Sequence, residues 1–418
     1  MEAAPQGLGG RYWKVWTSSA VANLGDGVFQ VAIALLAVRL TRSPALISGV
    51  ALAARLPWLV LALPAGALAD RLDRRRTMVR CNVARTLLLG ALAAAVAFDA
   101  ASIALLYVVA LALGVAEVLF DTSAQTLMPA VVEKDHLSRA NGRLFAAELV
   151  TNQFVGPPLG GLLVTISVAL AVGSSAALYA VAASALVLLG GDYRSARSGP
   201  PSRIRTDIAE GLAYLWRHRL LRTLALLLGA QNLLSMATQS VFVLYAVSRS
   251  GLGLSDVGVG LLFTTFAIGG FLGSFVAPPL EKALGRARVL QIALFAAGIG
   301  LLVPGLFVNV AAVAASSIVS GIFVVGWNVV TVSLRQRIIP DELLGRANAT
   351  YRLLGWGTMP IGAAVGGALG ELLGVRGVFL IAGGATLLLL VPLLVVVTEA
   401  AIEAADRESD GAAAGTNA

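Results

Sequence analysis

Apolar residues run in unbroken stretches of about 20 along most of this chain, separated by short polar gaps. A helix of about that length crosses the hydrocarbon core of a bilayer. The pattern predicts twelve spans, at residues 15–38, 45–69, 78–98, 102–125, 145–166, 168–190, 222–247, 256–279, 288–308, 310–333, 353–372 and 376–398. The runs are continuous rather than alternating, which excludes a strand barrel. The longest polar gap divides the spans six and six. It gives an N-terminal bundle at 1–190, a cytoplasmic linker at 191–221, a C-terminal bundle at 222–398 and a tail at 399–418. In the linker, Ile208, Leu212 and Leu215 fall at helical spacing opposite charges, the pattern of an amphipathic helix lying on the inner leaflet. The tail is Ala, Gly and acid without periodicity and is expected to be disordered.

Composition agrees with the spans. Of 418 residues 58% are hydrophobic and 13% charged, where a soluble domain carries about 25% charged residues. The net charge of +8 points away from nucleic acid, because the basic residues sit in the gaps rather than on a domain of their own. With the N-terminus inside, 25 of the 31 Lys and Arg fall in inner segments, and only Arg39, Arg42, Arg249 and Arg376 fall in outer loops. That asymmetry places both termini in the cytoplasm of a multi-pass inner-membrane protein. The first apolar run is of spanning length without a cleavage-type end, so it reads as a retained helix rather than a signal peptide. Alanine- and arginine-rich, lysine-poor usage fits a bacterium of high GC content.

Several chemistries are excluded. Cys81 is the only cysteine, so there is neither a disulfide framework nor a multi-cysteine metal site. No His, Cys or carboxylate cluster has metal-ligand spacing, and no metal or organic cofactor is expected. The three lysines, at 14, 134 and 282, lie outside any GxxxxGK[ST] loop, which excludes a Walker-type ATPase. An enzyme is therefore not expected, and no appended soluble domain is present to pass on a signal as a sensor would.

The two halves are copies. Asp135-His-Leu-Ser-Arg139-Ala-Asn141 recurs as Asp341-Glu-Leu-Leu-Gly-Arg346-Ala-Asn348, an offset of 207 between the arginines. Six spans later the orientation is the same, so the repeats are parallel and related by an axis along the membrane normal. Such repeats enclose a cavity near the midplane, which is the architecture of a carrier.

Ionisable and polar residues inside spans mark its lining. Asp26 lies about 16 Å into the first span and shares a face with Asn23 and Gln30. A carboxylate kept from bulk water can take a proton from one side and release it to the other, which makes Asp26 the leading proton-coupling candidate. A structural carboxylate neutralised by Arg55 is the other reading. Glu117, on one face with Asp121, and Glu148 are further proton-coupling candidates, although Glu148 also fits a salt bridge with Arg143 or Arg85. Arg55 and Arg85 fit either cavity lining or snorkelling. Asn152 and, in the second half, Gln231, Asn232, Gln239, Trp327 and Asn328 could meet an amphipathic substrate by stacking and hydrogen bonding. The second half has no acid deep in a span. The turn at Gly66-Ala-Leu-Ala-Asp70-Arg71-Leu-Asp73-Arg74-Arg75-Arg76 concentrates charge that must lie at a membrane face.

These residues resemble the major facilitator superfamily over about 15–398. Gly66-x-x-x-Asp70-Arg71-x-x-Arg74-Arg75 resembles its signature between helices 2 and 3. Gly156-Pro157-Pro-Leu-Gly160-Gly161 resembles the GPxxGG core of its helix-5 antiporter motif. Leu24-Gly-Asp26-Gly-Val-Phe and Glu210-Gly-Leu-Ala-Tyr-Leu-Trp-Arg-His218 are similar to the bacterial branch that exports macrolides, siderophores and other drugs. The resemblance implies an all-α fold of twelve helices in two pseudo-symmetric bundles. It also implies a gate in which Asp121 pairs with Arg74 while Asp70 faces the N-terminus of helix 11. Asp73 replaces the usual glycine, so a positive-φ turn there would rest on aspartate's tolerance of it. Asn152 stands where a further glycine is usual. The function implied is proton-coupled efflux of amphipathic small molecules by a monomer in the lipid bilayer, powered by the proton gradient. An importer, a uniporter or a lysolipid flippase on the same fold is the alternative.

Overall fold

The computed structural model describes residues 8–69, 73–132, 136–191, 193 and 204–415. Every regular element among them is helical: α1 (Gly9–Leu40), α2 (Pro44–Ala69), α3 (Arg74–Ala97), α4 (Ile103–Val131), α5 (Leu137–Glu148), a π-helical segment (Leu149–Val155), α6 (Gly156–Ile166), α7 (Val168–Val187), α8 (Ile204–Arg217), α9 (Arg219–Val247), α10 (Asp256–Leu284), α11 (Arg286–Leu306), α12 (Val310–Ile338), α13 (Asp341–Trp356), α14 (Met359–Leu388), α15 (Leu390–Val396) and α16 (Glu399–Gly415). Eleven stretches among the described residues are long and apolar enough to cross a membrane. The last, Arg346–Val396, has 51 residues, about 77 Å of helix against a core of about 30 Å. Gly374, at φ 75°, breaks it where only glycine turns without strain. It thus holds the eleventh and twelfth predicted spans. Large apolar side chains left bare, such as Phe98 at 83% and Leu372 at 79% exposure, face hydrocarbon in a protein of this class.

Helix starts follow from short polar side chains. Asp73, Ser102 and Asn309 accept the backbone N–H of Arg76 (2.6 Å), Leu105 (3.3 Å) and Ala312 (2.9 Å), each satisfying a donor that the helix itself cannot. Asp73 therefore does not make the positive-φ turn expected of it. Its φ is −68°, and its second carboxylate oxygen accepts the Tyr193 N–H at 2.7 Å.

The chain forms two compact units: Met1–Arg42 with Gly49–Gly199 and Gly253–Thr264, and Ser43–Ser48 with Pro200–Leu252 and Thr265–Ala418. Helix ends are thus exchanged. The start of α10 belongs to the first unit, where Asp256 pairs with Arg39 at 2.6 Å. The start of α2 belongs to the second, where Glu371 accepts the Ser43 hydroxyl at 3.1 Å. In the first unit α1 runs between α7 and α6, and α3 packs on α4 and α7. Tyr12 and Trp16 tie α1 to α5 through the Ala140 and Arg143 carbonyls, both at 3.1 Å.

Two terminal expectations change. Of the expected tail, residues 399–415 form helix α16, and 416–418 lie outside the described residues. Helix α16 buries Ile402 and Ala405 against the second unit's core, Glu399 accepts the Ala287 N–H at 2.9 Å at the start of α11, and Asp406 pairs with Arg286 at 2.8 Å. The sequence hides this because two buried side chains in an Ala-rich segment make a narrow apolar stripe. Ile402→Ala is expected to cost about 2–4 kcal/mol, read as a lower thermal midpoint of the purified protein. Helix α8, in turn, docks one of its faces on protein. Leu215 is fully buried in the same core, the Tyr214 hydroxyl donates to the Ile338 carbonyl at 3.1 Å and Glu210 pairs with Arg346. Leu212 and Trp216 stay exposed, and the Ile208 side chain lies outside the described residues.

Candidate functional site

The fifth predicted span is three pieces because of its prolines. Pro157 and Pro158 carry no N–H, and their rings crowd the carbonyls one turn back. The helix answers by widening: Gly156 donates to the Thr151 carbonyl, an i to i−5 bond, at the end of the π-helical segment. Helix α6 then lies backbone to backbone on α1. A Cβ on Gly156 would stand 2.6 Å from the Gly27 Cα, and one on Gly160 would stand 3.1 Å from the Val28 Cα. On α7's side of α1, a Cβ on Gly25 would be 3.5 Å from the Ser175 carbonyl oxygen, and the Ser18 hydroxyl donates to the Ala182 carbonyl at 2.8 Å. The two glycines flanking Asp26 thus press its helix against both neighbours.

Asp26 accepts a hydrogen bond from the Tyr179 hydroxyl of α7. Arg85 of α3, only 3% exposed, stacks its guanidinium 5.1 Å from the ring centroids of both Tyr179 and Phe120. Such contacts are stronger when desolvated. Charges on Arg85, Glu117 and Glu148 act on Asp26, and those on Asp26, Glu117 and Asp121 act on Arg85. Glu117 pairs with Arg55 at 3.4 Å, with both side chains about two-fifths exposed, so that pair is solvated and weak. The first unit therefore gathers Asp26, Glu117, Asp121 and Glu148 from three predicted spans around Arg85 and Arg55.

The structure sorts the other sequence candidates. Asp121 belongs to this acid group; among the described residues no ion pair joins it to Arg74, whose Nε is buried without a hydrogen-bond partner. Arg75 instead closes the end of α7, donating to the Leu186 and Val187 carbonyls, each at 2.8 Å. Gly66 lies on α2, while Asp70 and Arg71 lie outside the described residues. Glu148 is exposed and bridges neither Arg143 nor Arg85 among the described residues, and Arg143 lies over the Trp13 ring instead. Arg55 pairs with Glu117 rather than Asp26. Asn23 turns back to the Ser19 carbonyl at 2.9 Å, Gln30 is exposed, and Asn152 brings its carbonyl oxygen against Gly27.

In the second unit Asn232 holds the Gly355 carbonyl at 2.9 Å, and Gln231 donates to Ser235 while its own oxygen is buried without a partner. Gln239 and Asn328 are exposed. Trp327 is buried. It is 8% exposed and sits in the hydrophobic core with Val330 and Leu334, where an indole is held by its apolar area.

Sequence reasoning missed Tyr179, whose isolated hydroxyl in an Ala-rich span gives no pattern. It also missed a second copy of the glycine motif. Gly362, Gly366 and Gly367 follow Gly156, Gly160 and Gly161 at an offset of 206, a signal that a search at the repeat distance would have found. Gly362 faces the Leu233 backbone of α9 as Gly156 faces Gly27 of α1. A Cβ on Gly161 would be 3.1 Å from the Val257 Cα at the start of α10, and one on Gly367 would be 3.1 Å from the Ala45 Cα at the start of α2. Within each unit the motif seats one helix on each side.

Comparison with known proteins gives the same fold. Residues 10–415 match the family described as transmembrane secretion effector. The chain is 28% identical over 380 residues to the multidrug efflux pump Tap of Mycolicibacterium fortuitum, covering 87% of this chain and 90% of that protein. It is 24% identical over 383 residues to macrolide efflux protein A of Streptococcus pyogenes, covering 89% and 92%. The crystal structure of a point mutant of the nucleoside transporter NupG superposes with a TM-score of 0.76 at 14% identity, covering 92% of this chain and 99% of that one.

Proposed function

The chain belongs to the transmembrane secretion effector family, within the major facilitator superfamily, and from that premise we propose that it exports amphipathic small molecules, drugs or siderophore-like metabolites, in exchange for protons by alternating access. It is a multi-pass membrane transporter rather than an enzyme. The observation that supports proton coupling is the placement of Asp26: a membrane-embedded carboxylate, clasped by Tyr179 and set beside the buried Arg85. Substrate loaded from the cytoplasm would leave on the far side while a proton enters on the acid group. One proton descending one pH unit releases about 1.4 kcal/mol, which supports about a tenfold substrate gradient. In this reading both termini are cytoplasmic, the cell membrane's proton gradient is the energy source and the unit of function is the monomer.

The test is flux in proteoliposomes with and without an imposed pH gradient, over a panel containing a macrolide, a siderophore and a lipophilic dye. Gradient-dependent uphill movement of at least one compound is expected, with alkalinisation of the acid compartment. Flux that follows substrate alone would replace the antiporter with a uniporter, and movement of lysolipid alone would replace it with a flippase.

A further inference from the structure

The Asp26 carboxylate and the Arg85 guanidinium meet on a single side chain. Tyr179 gives its hydroxyl hydrogen to Asp26 and its ring to Arg85. It is 2% exposed and Arg85 is 3% exposed, so the contact between these two is closed to water. Three helices, α1, α3 and α7, converge there. A titrating acid needs only a route for its proton, and nothing in antiport itself calls for a tyrosine at this point.

We propose that Tyr179 is a positioning residue that converts arrival of a proton on Asp26 into release of Arg85. The inference rests on the proton-coupled reading above. With Asp26 ionised, the tyrosine hydrogen bond is charge-assisted and the carboxylate attracts the guanidinium held on the same ring. When hydronium delivers a proton, one of its O–H bonds breaks as one forms on Asp26, leaving water, and Arg85 keeps its charge but loses a counter-ion. The acids left in its field are Glu117 and Asp121 of α4, and Phe120 of α4 already carries the guanidinium at 5.1 Å. Arg85 is then drawn from α1 and α7 toward α4. The other charged groups acting on Asp26 are Glu117 of α4 and Glu148 of α5; the π-helical segment and α6, which also pack on α1, carry no titratable side chain.

Tyr179→Phe separates the two contacts, keeping the ring and removing the donor. An ionised carboxylate that loses a donated hydrogen bond keeps its proton to higher pH. Measured in proteoliposomes between pH 5 and 9, the half-maximal point of the Tyr179→Phe flux curve is expected to move about one unit alkaline. Arg85→Lys keeps the charge but loses the planar stack, and is expected to lower maximal flux at least tenfold without moving the curve. A Tyr179→Phe curve superimposed on wild type overturns the positioning role, as does wild-type flux in Arg85→Lys. A wild-type curve flat in pH overturns the proton reading instead, so the two failures are distinct.

Discussion

Asp26→Asn is expected to abolish gradient-driven efflux, to below a hundredth of wild type, while the protein remains folded and continues to bind substrate. The substitution preserves volume and an oxygen for the Tyr179 hydroxyl, so the packing of α1 between α6 and α7 has no reason to change. What is lost is a group able to gain and lose a proton. Of the four acids gathered here, Asp26 alone is held by a hydrogen bond from a buried tyrosine; Glu117 is paired with Arg55 in a solvated contact, and Glu148 is exposed. The measurement is paired: substrate accumulation against a gradient, and substrate-for-substrate exchange with no gradient. Exchange should survive at a third or more of the wild-type rate, since it needs the moving cavity but no net proton transfer. Uphill accumulation by Asp26→Asn would remove this residue from coupling and shift attention to Asp121.

Much of the fold was legible before any coordinates. Apolar runs near 20 residues report the bilayer directly, because a spanning segment has to satisfy its own backbone polar groups, and the 207-residue offset marks one half as a copy of the other in sequence. Asp26 was legible for the same reason: an acid in such a run is costly and so conspicuous. What sequence could not give was pairing in space. Arg85 has an aromatic from α4 and another from α7 as its neighbours, and no periodicity relates residues 85, 120 and 179. The gate inferred for Asp121 and Arg74 came from likeness of motif. Here Asp121 acts with the acid group around Arg85, while Arg74 Nε is unpartnered. Trp327 and Leu215 show a second limit. An aromatic or apolar residue in a span or an amphipathic helix looks the same whether it meets lipid, substrate or core, and only packing assigned both to the core.

Gly156→Val is the second large expected effect, and it tests how Asp26 is held rather than what it does. Side chains added at this position have nowhere to go: a Cβ alone would lie 2.6 Å from the Gly27 Cα and 2.8 Å from the Thr151 carbonyl oxygen, well inside contact distance for carbon. Both obstacles are backbone, so no rotamer change relieves them. The helices must part by about an ångström, a strain of about 1–3 kcal/mol, and α1 is carried away from α6 together with Asp26. Geometry at a reacting group tolerates little such error; displacements of about 1 Å cost about a hundredfold in rate. Gly156→Val is therefore expected to lose efflux by two orders of magnitude and to lower the thermal midpoint by several degrees. Gly90→Ala, where an added Cβ meets nothing within 4 Å, should change neither. Thermal midpoints in detergent and efflux rates from the same preparations decide the matter. If Gly156→Val transports at the wild-type rate, α1 is not fixed by this glycine seat, and the link between the motif in α6 and the acid on α1 fails with it.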